Sequence, residues 1–135
     1  MANTQSMCTS FMGELLTGTH NFTTGTGDTF KAALYLTTAT NNASTTAYSA
    51  TGEVSGTGYT AGGVTVTNGT SPTATNSSST AGVAFWTPSA SLTYTSVTLS
   101  TAFDAVLIYN SSKSNKAVSV HTFGSQTVKI GRAHV

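Results

Sequence analysis

Charge is what this chain lacks most: only 7% of its 135 residues are Asp, Glu, Lys or Arg, against about a quarter in an ordinary soluble domain. Five basic and four acidic residues leave a formal net charge of +1. With no basic run and no interleaving of arginine with aromatics, neither nucleic acid nor an anionic membrane is an expected partner. Cysteine is reduced to Cys8, so no intrachain disulfide is possible, and with no basic residue near it Cys8 reads as a small core hydrophobe. No apolar run reaches the length of a transmembrane helix, and MANTQSMCTSFMGELL lacks both the basic and the continuous apolar regions of a signal peptide. The expected place of synthesis is therefore a cytosol.

In place of charge the chain has hydroxyls, 47 Ser and Thr in all. A neutral, hydroxyl-rich surface suits a protein packed against copies of itself or neighbours, because few charges then need desolvating. The length is that of a single domain with one core.

The stretch Ala102–Gly124 is the most structured in pattern. Ala105–Tyr109 is an unbroken apolar run, as in a strand buried on both faces, and Val118 and Val120 then alternate with Ser119 and His121. The polar residues Asn110–Lys116 between them predict a hairpin. Upstream, Cys8, Phe11, Met12, Leu15 and Leu16 fall on one helical stripe, predicting a helix over about residues 6–17, capped by Thr4 or Ser6 and closed by Gly18. Such a helix lies against a sheet or docks on a neighbouring subunit.

Further strands are predicted at 29–36, at 64–67 with Asn68-Gly69 as a turn, at 83–87 ending before Pro88, and over 92–99 with a bulge near Thr95-Ser96. Residues 37–63 read as a long Gly-rich loop with edge pairing near Tyr48 or Val54, and 70–82 as a flexible loop. About six short strands with turn-rich connections predict a mainly β, antiparallel domain, a β-sandwich or jelly-roll-like fold with one short N-terminal helix.

The chemistry-bearing residues are sparse. Asp104, His121 and the abundant serines permit a triad on paper, but no G-x-S-x-G elbow accompanies them. The expectation is a non-enzyme, with Asp104 ending a loop and His121 on the wet face of its strand. His20, His121 and Cys8 lack metal-site spacing, Asp28 opens no calcium loop, and GTGYTAGG lacks the lysine of a phosphate loop. No metal or cofactor is expected. Five N-x-[ST] sequons, at Asn21, Asn42, Asn68, Asn76 and Asn110, are what this composition gives by chance. A binding surface remains. Tyr48 and Tyr59, on Gly-rich loops, are the expected exposed aromatics, with Phe11 and Leu15 of the helix as further interface candidates, while Trp86 is expected to pack in the core.

The segments DTFKAALYL (28–36), ASTTAYSATGEVSGTGYTAGG (43–63) and AVLIYNSSKSNKAVSVHTFGS (105–125) resemble, in that order, a group of small virion structural proteins of tailed bacteriophages. The resemblance covers most of residues 1–128 and is strongest in the third segment. It implies a non-catalytic particle component located in the virion, most simply a capsid decoration protein. Its partners would be other virion proteins, capsid or tail subunits, together with its own copies. A tail or fibre component, or a glycan-binding module using Tyr48 and Tyr59, are the alternatives. Relatives of this kind continue past the hairpin with a strand of the form G-T-F-T-L; here KIGRAHV (129–135) stands in its place.

That tail breaks the style of the chain, with two of its five basic residues in seven positions. The codons AAG ATC GGA AGA GCA CAC GTC encode it and resemble a sequencing-library adapter. The domain is therefore expected to span 1–128, with 129–135 a non-native tail. Without the tail three lysines face four acids, a net charge of −1. On this reading the edge along Ala117–Phe123 lies open for want of the missing strand. Resequencing the source DNA across the codon for Val128 is expected to show the frame diverging from adapter; an uninterrupted genomic frame through Val135 overturns this.

Overall fold

A computed structural model describes residues 2–134, with side chains described for 2–129. The chain is mainly β and antiparallel, β-sandwich-like, with one short helix. In chain order the elements are β1 (Ser6–Met7), α1 (Thr9–Leu16), β2 (Phe30–Leu36), β3 (Val64–Val66), β4 (Asn68–Ala74), β5 (Ala84–Pro88), β6 (Thr93–Asn110) and β7 (Lys116–His134). Five strands form one sheet in the order β1-β7-β6-β2-β3, and β4 and β5 form a separate two-stranded sheet.

The apolar run that predicts a doubly buried strand lies at the centre of the large sheet. Every residue from Ala105 to Asn110 is buried, as are Phe30, Ala32, Ala33, Leu34 and Tyr35 of the adjoining β2. The predicted hairpin is the β6–β7 ladder, which turns through Ser114 and Asn115, both with positive φ. These strands are not short: β6 has 18 residues and β7 has 19. The expected bulge is present at Ser96, whose φ of 56° coincides with a register shift between Thr95 and Val97. Asp104, expected to end a loop, is instead inside β6, because the strand runs unbroken through Ser100 and Thr101, which carry no turn signal.

Three other expectations are corrected. The helix begins at Thr9, not near residue 6. Ser6 and Met7 pair with Val120 and Ser119 of β7, and the N-cap residue is Cys8, without a side-chain cap. Its end is as predicted: Gly18, with φ +70°, places its N–H on the Leu15 carbonyl while the Thr19 N–H reaches Glu14, the paired bonds of a Schellman closure. Asn68-Gly69 is no hairpin turn; after Thr67 alone the chain passes from β3 into β4, and Asn68 anchors the step by donating to the Thr23 and Asp28 carbonyls. The first part of the low-complexity stretch 70–82 is the strand β4, made by backbone pairing to β5 with no help from apolar side chains.

The edge along Ala117–Phe123 is partly covered. β1 pairs with Ser119 and Val120, the Cys8 N–H donates to Val118, and the Ala117 N–H donates to Thr46. The backbone of Lys129–His134 forms the end of β7, opposite Thr93–Val97; the side chains of 130–135 lie outside the described residues. The long loop 37–63 is tied down by bridges from Glu53 to Tyr35, Ala47 to Lys116 and Thr57 to Thr98.

Gly63 has a φ of +76°, and a Cβ there would run into the Ala32 carbonyl. Gly13, inside α1, has open space around it. Gly63→Ala is expected to cost more than ~2 kcal/mol and Gly13→Ala to gain up to ~1 kcal/mol, both read by urea denaturation; a neutral Gly63→Ala would contradict the close packing of loop on strand.

Candidate functional site

The two aromatics expected to stand exposed are engaged internally. Tyr48 and Tyr59 are both half-buried and donate their hydroxyls to opposite oxygens of Glu53, at 2.6 and 2.7 Å. The Gly62 N–H adds a third donor to Glu53 at 2.7 Å, and the Tyr59 hydroxyl in turn accepts from the Leu34 N–H. Tyr48 stacks on Tyr109 at 4.7 Å and Tyr59 on Tyr94 at 6.0 Å. Burial, reinforced by the hydrogen bond to Glu53, pushes the Tyr48 phenol up to about 12, and the same causes push Tyr59 up. The carboxylate requires donors, and the flexible glycines let the loop deliver them. Neither ring is therefore offered whole to a ligand.

Phe11 and Leu15 separate. Phe11 is buried against the His20 ring at 4.9 Å and edge-on to Phe22 at 6.0 Å, so it anchors α1 and presents no surface. Leu15 is 44% exposed, with Met12 at 46%, Leu16 at 91% and Met7 of β1 at 52%. The predicted apolar stripe exists, but the sheet takes up only its Cys8–Phe11 side.

Under α1 runs a line of polar groups, buried at His20 and Asn110 and partly exposed at Glu14, Asp28 and Lys116, that the sequence does not announce. Lys116 donates to Glu14 at 2.6 Å, and the other Glu14 oxygen meets His20 Nε2 at 2.7 Å. His20 Nδ1 lies 2.9 Å from Asn110 Nδ2, which also donates to Asp28 at 2.8 Å. The Ser112 N–H donates to Asn110 Oδ1 and so fixes the orientation of the amide. An amide nitrogen only donates, so His20 carries its proton on Nε2 and accepts at Nδ1. The imidazole side chain is 0% exposed, and every polar atom in the line has a partner. Its role is to join helix, loop and sheet.

Asp104 and His121, the pair that permits a triad on paper, are committed elsewhere. Asp104 Oδ1 accepts from Asn3 at 2.6 Å, and His121 Nε2 lies 2.9 Å from Ser119 Oγ. His121 stands on an exposed position, as its strand phase predicts, while partial desolvation holds its imidazole below the ordinary 6.5. Cys8 is fully buried, and burial followed by the Glu14 charge pushes its thiol up to about 11, as suits a core hydrophobe. Among the described residues no three His, Cys, Asp or Glu side chains gather as a metal site.

A large concavity lies between the β4–β5 sheet and the five-stranded sheet. It has a volume of about 700 Å³ and is lined by Val66, Val106 and Ile108 on one side, and by Trp86, Pro88 and Leu92 on the other, with His121 at its wall. Trp86 packs against Phe22 and Phe30 at 5.0 and 6.0 Å, so its expected core role holds for part of the ring while another part walls the cleft. Sequence periodicity places Val106 and Ile108 on one face of β6, but not the opposing hairpin.

Comparison with known protein families, with curated proteins and with solved structures finds no match.

Glu14 and Asp28 generate a pH dependence. Burial pushes each carboxyl up, but the hydrogen bonds from Lys116 and His20 to Glu14, and from Asn110 and the Asn21 N–H to Asp28, together with nearby positive charge, hold both below their ordinary 4.5 and 3.8. The stability they contribute is complete above those values and is lost as pH falls through the depressed ones. Thermal melts from pH 7 to pH 2 are expected to show Tm falling from about pH 4.5 downward, with a flatter acid limb in Glu14→Gln; an identical acid limb in the variant would contradict the role of the Lys116–Glu14–His20 line.

Proposed function

We propose that this protein is a non-enzymatic structural component of a tailed-phage virion, and within that class a capsid decoration protein. Two supports stand behind the reading: the resemblance carried by residues 28–36, 43–63 and 105–125, and the surface. The observation that carries it furthest is helix α1, held by Phe11 and the Glu14–His20 contact while Met12, Leu15 and Leu16 face outward beside Met7. Large apolar side chains on a rigid, anchored element are what a stable protein interface uses. The charge-poor surface around them adds little desolvation cost on contact with a shell.

A tail or fibre location is the alternative within the same class. The glycan-binding reading relies on Tyr48 and Tyr59 as exposed platforms, and their engagement with Glu53 removes the feature that favoured it.

Cryo-electron microscopy of particles encoded by the surrounding genes tests the reading: density for this chain is expected on the capsid surface with α1 at the contact. Leu15→Asp with Leu16→Asp, both at exposed positions, is expected to lower particle occupancy at least ten-fold with little change in Tm. Density confined to the tail would replace decoration with the tail alternative, and absence from particles would overturn the virion reading.

A further inference from the structure

The β4–β5 hairpin is a sheet of only two strands, an arrangement that is marginal in water unless a further strand or a packing surface supports it. Trp86 ties it to Phe22 and Phe30, yet Val83 and Phe85 beside it stand 64% and 42% exposed. Its two edges are not alike. β4 carries both surplus residues of the ladder, between Asn68 and Thr70 and between Thr70 and Thr73, and it carries Pro72. Thr24 also covers it, through Ser71 and the Gly69 carbonyl. Bulges, proline and a covering loop keep an edge strand from recruiting another. β5 has none of these from Ala84 to Thr87.

The ladder fixes which way the backbone of β5 turns. The Thr75 N–H donates to the Val83 carbonyl at 3.0 Å, and the Ser89 N–H donates to the Thr67 carbonyl at 2.9 Å. Between them Phe85 lies opposite Thr73 and Thr87 opposite Thr70. Successive residues of a strand turn their N–H and C=O to opposite sides. Val83, Phe85, Thr87 and Ser89 therefore face inward, and Ala84 and Trp86 face outward. Among the described residues no strand lies on that outward side and no loop hydrogen-bonds to it. Only an extended backbone matches such a row of donors and acceptors.

We propose that the outer edge of β5 pairs with the same edge of a second copy of this chain, antiparallel about a two-fold axis at Phe85. In that register Ala84 faces the partner's Trp86 and exchanges both backbone hydrogen bonds with it, and Trp86 does the same with the partner's Ala84. Phe85 meets its own counterpart at a non-hydrogen-bonded position, where side chains approach closest. Val83 lies across from the partner's Thr87, so the pairing covers both exposed apolar side chains of the strand. A second copy fits because the edge is self-complementary and uncharged: no Asp, Glu, Lys or Arg occurs from residue 54 through 103, so no like charges are brought together. With β4 closed by its bulges and Pro72, the assembly stops at four strands and does not propagate. This interface uses no residue of α1 and does not rest on the virion reading.

The test is sedimentation velocity on the full chain over a concentration series reaching about 0.5 mM, where a reversible monomer–dimer equilibrium is expected. Phe85→Lys and Phe85→Glu each set two like charges at the two-fold axis, and each is expected to weaken the dimer at least ten-fold with circular dichroism unchanged. Mixed one to one, the two variants are expected to recover the wild-type affinity to within a few-fold, because opposite charges then face each other. Leu16→Asp on α1 is expected to leave the dimer intact. Mild oxidation reads the register: Phe85→Cys is expected to crosslink two copies, since residue 85 alone meets itself at a separation a disulfide spans. Thr87→Cys and the wild-type chain, whose Cys8 is buried, are expected not to crosslink. Where a charged variant fails to fold, the cysteine variants carry the test. A monomer at every concentration overturns the proposal, as does a dimer that Phe85→Lys leaves intact or that Leu16→Asp abolishes, or crosslinking of Thr87→Cys equal to that of Phe85→Cys.

Discussion

A β domain whose loops hold so many of its residues must find acceptors for the donors that those loops take out of water, and with only four acidic side chains each must serve several. Glu14 receives Lys116 and His20; Asp28 receives Asn110, the Asn21 N–H and the Lys113 ammonium at 3.7 Å; Glu53 receives two phenols and the Gly62 N–H; Asp104 receives Asn3. Glu14, Asp28 and Asp104 thereby each fasten a segment without regular structure to a strand or to the helix, while Glu53 ties the 37–63 loop to itself. Asn110 is the most constrained of the partners. It is wholly buried at the end of β6, and the Ser112 N–H leaves its amide a single orientation. Removing it would unseat His20, Asp28 and the β6–β7 turn together.

How far the sequence reveals this depends on whether the cause is local. β2 and the core of the β6–β7 hairpin are legible because Phe30–Leu36 and Ala105–Tyr109 are apolar enough to demand burial wherever they go. The helix end is legible because Gly18 alone supplies the closing conformation. The helix start is not: Ser6 and Met7 are drawn into β1 by the backbone of β7, a partner more than a hundred residues away. β4 is invisible for a similar reason, since Asn68–Ala74 has almost nothing to bury and owes its extended form to pairing with β5 and to polar contacts with the 23–28 loop.

The same distinction explains the candidate residues. Tyr48 and Tyr59 sit on Gly-rich loops, which by composition belong on the surface. What draws them inward is one carboxylate, Glu53, that a pattern of hydrophobic spacing does not register. Phe11 and Leu15 share a predicted stripe, yet one anchors and the other protrudes, because the sheet beneath the eight-residue helix meets only one edge of that stripe. The cleft at Trp86 arises between two sheets whose relative placement no single segment encodes.

The engagement of every carboxylate has a consequence for the electrostatic field around the chain. Lys113 and Lys116 spend their charge on Asp28 and Glu14, in a chain of which only 7% is charged at all. A surface of this kind offers little long-range field to steer or repel whatever approaches it. Added salt, which screens exposed charges over a Debye length of about 10 Å at 0.1 M, would therefore find little to screen, and any contact made through this surface should hold almost unchanged from dilute buffer to high ionic strength.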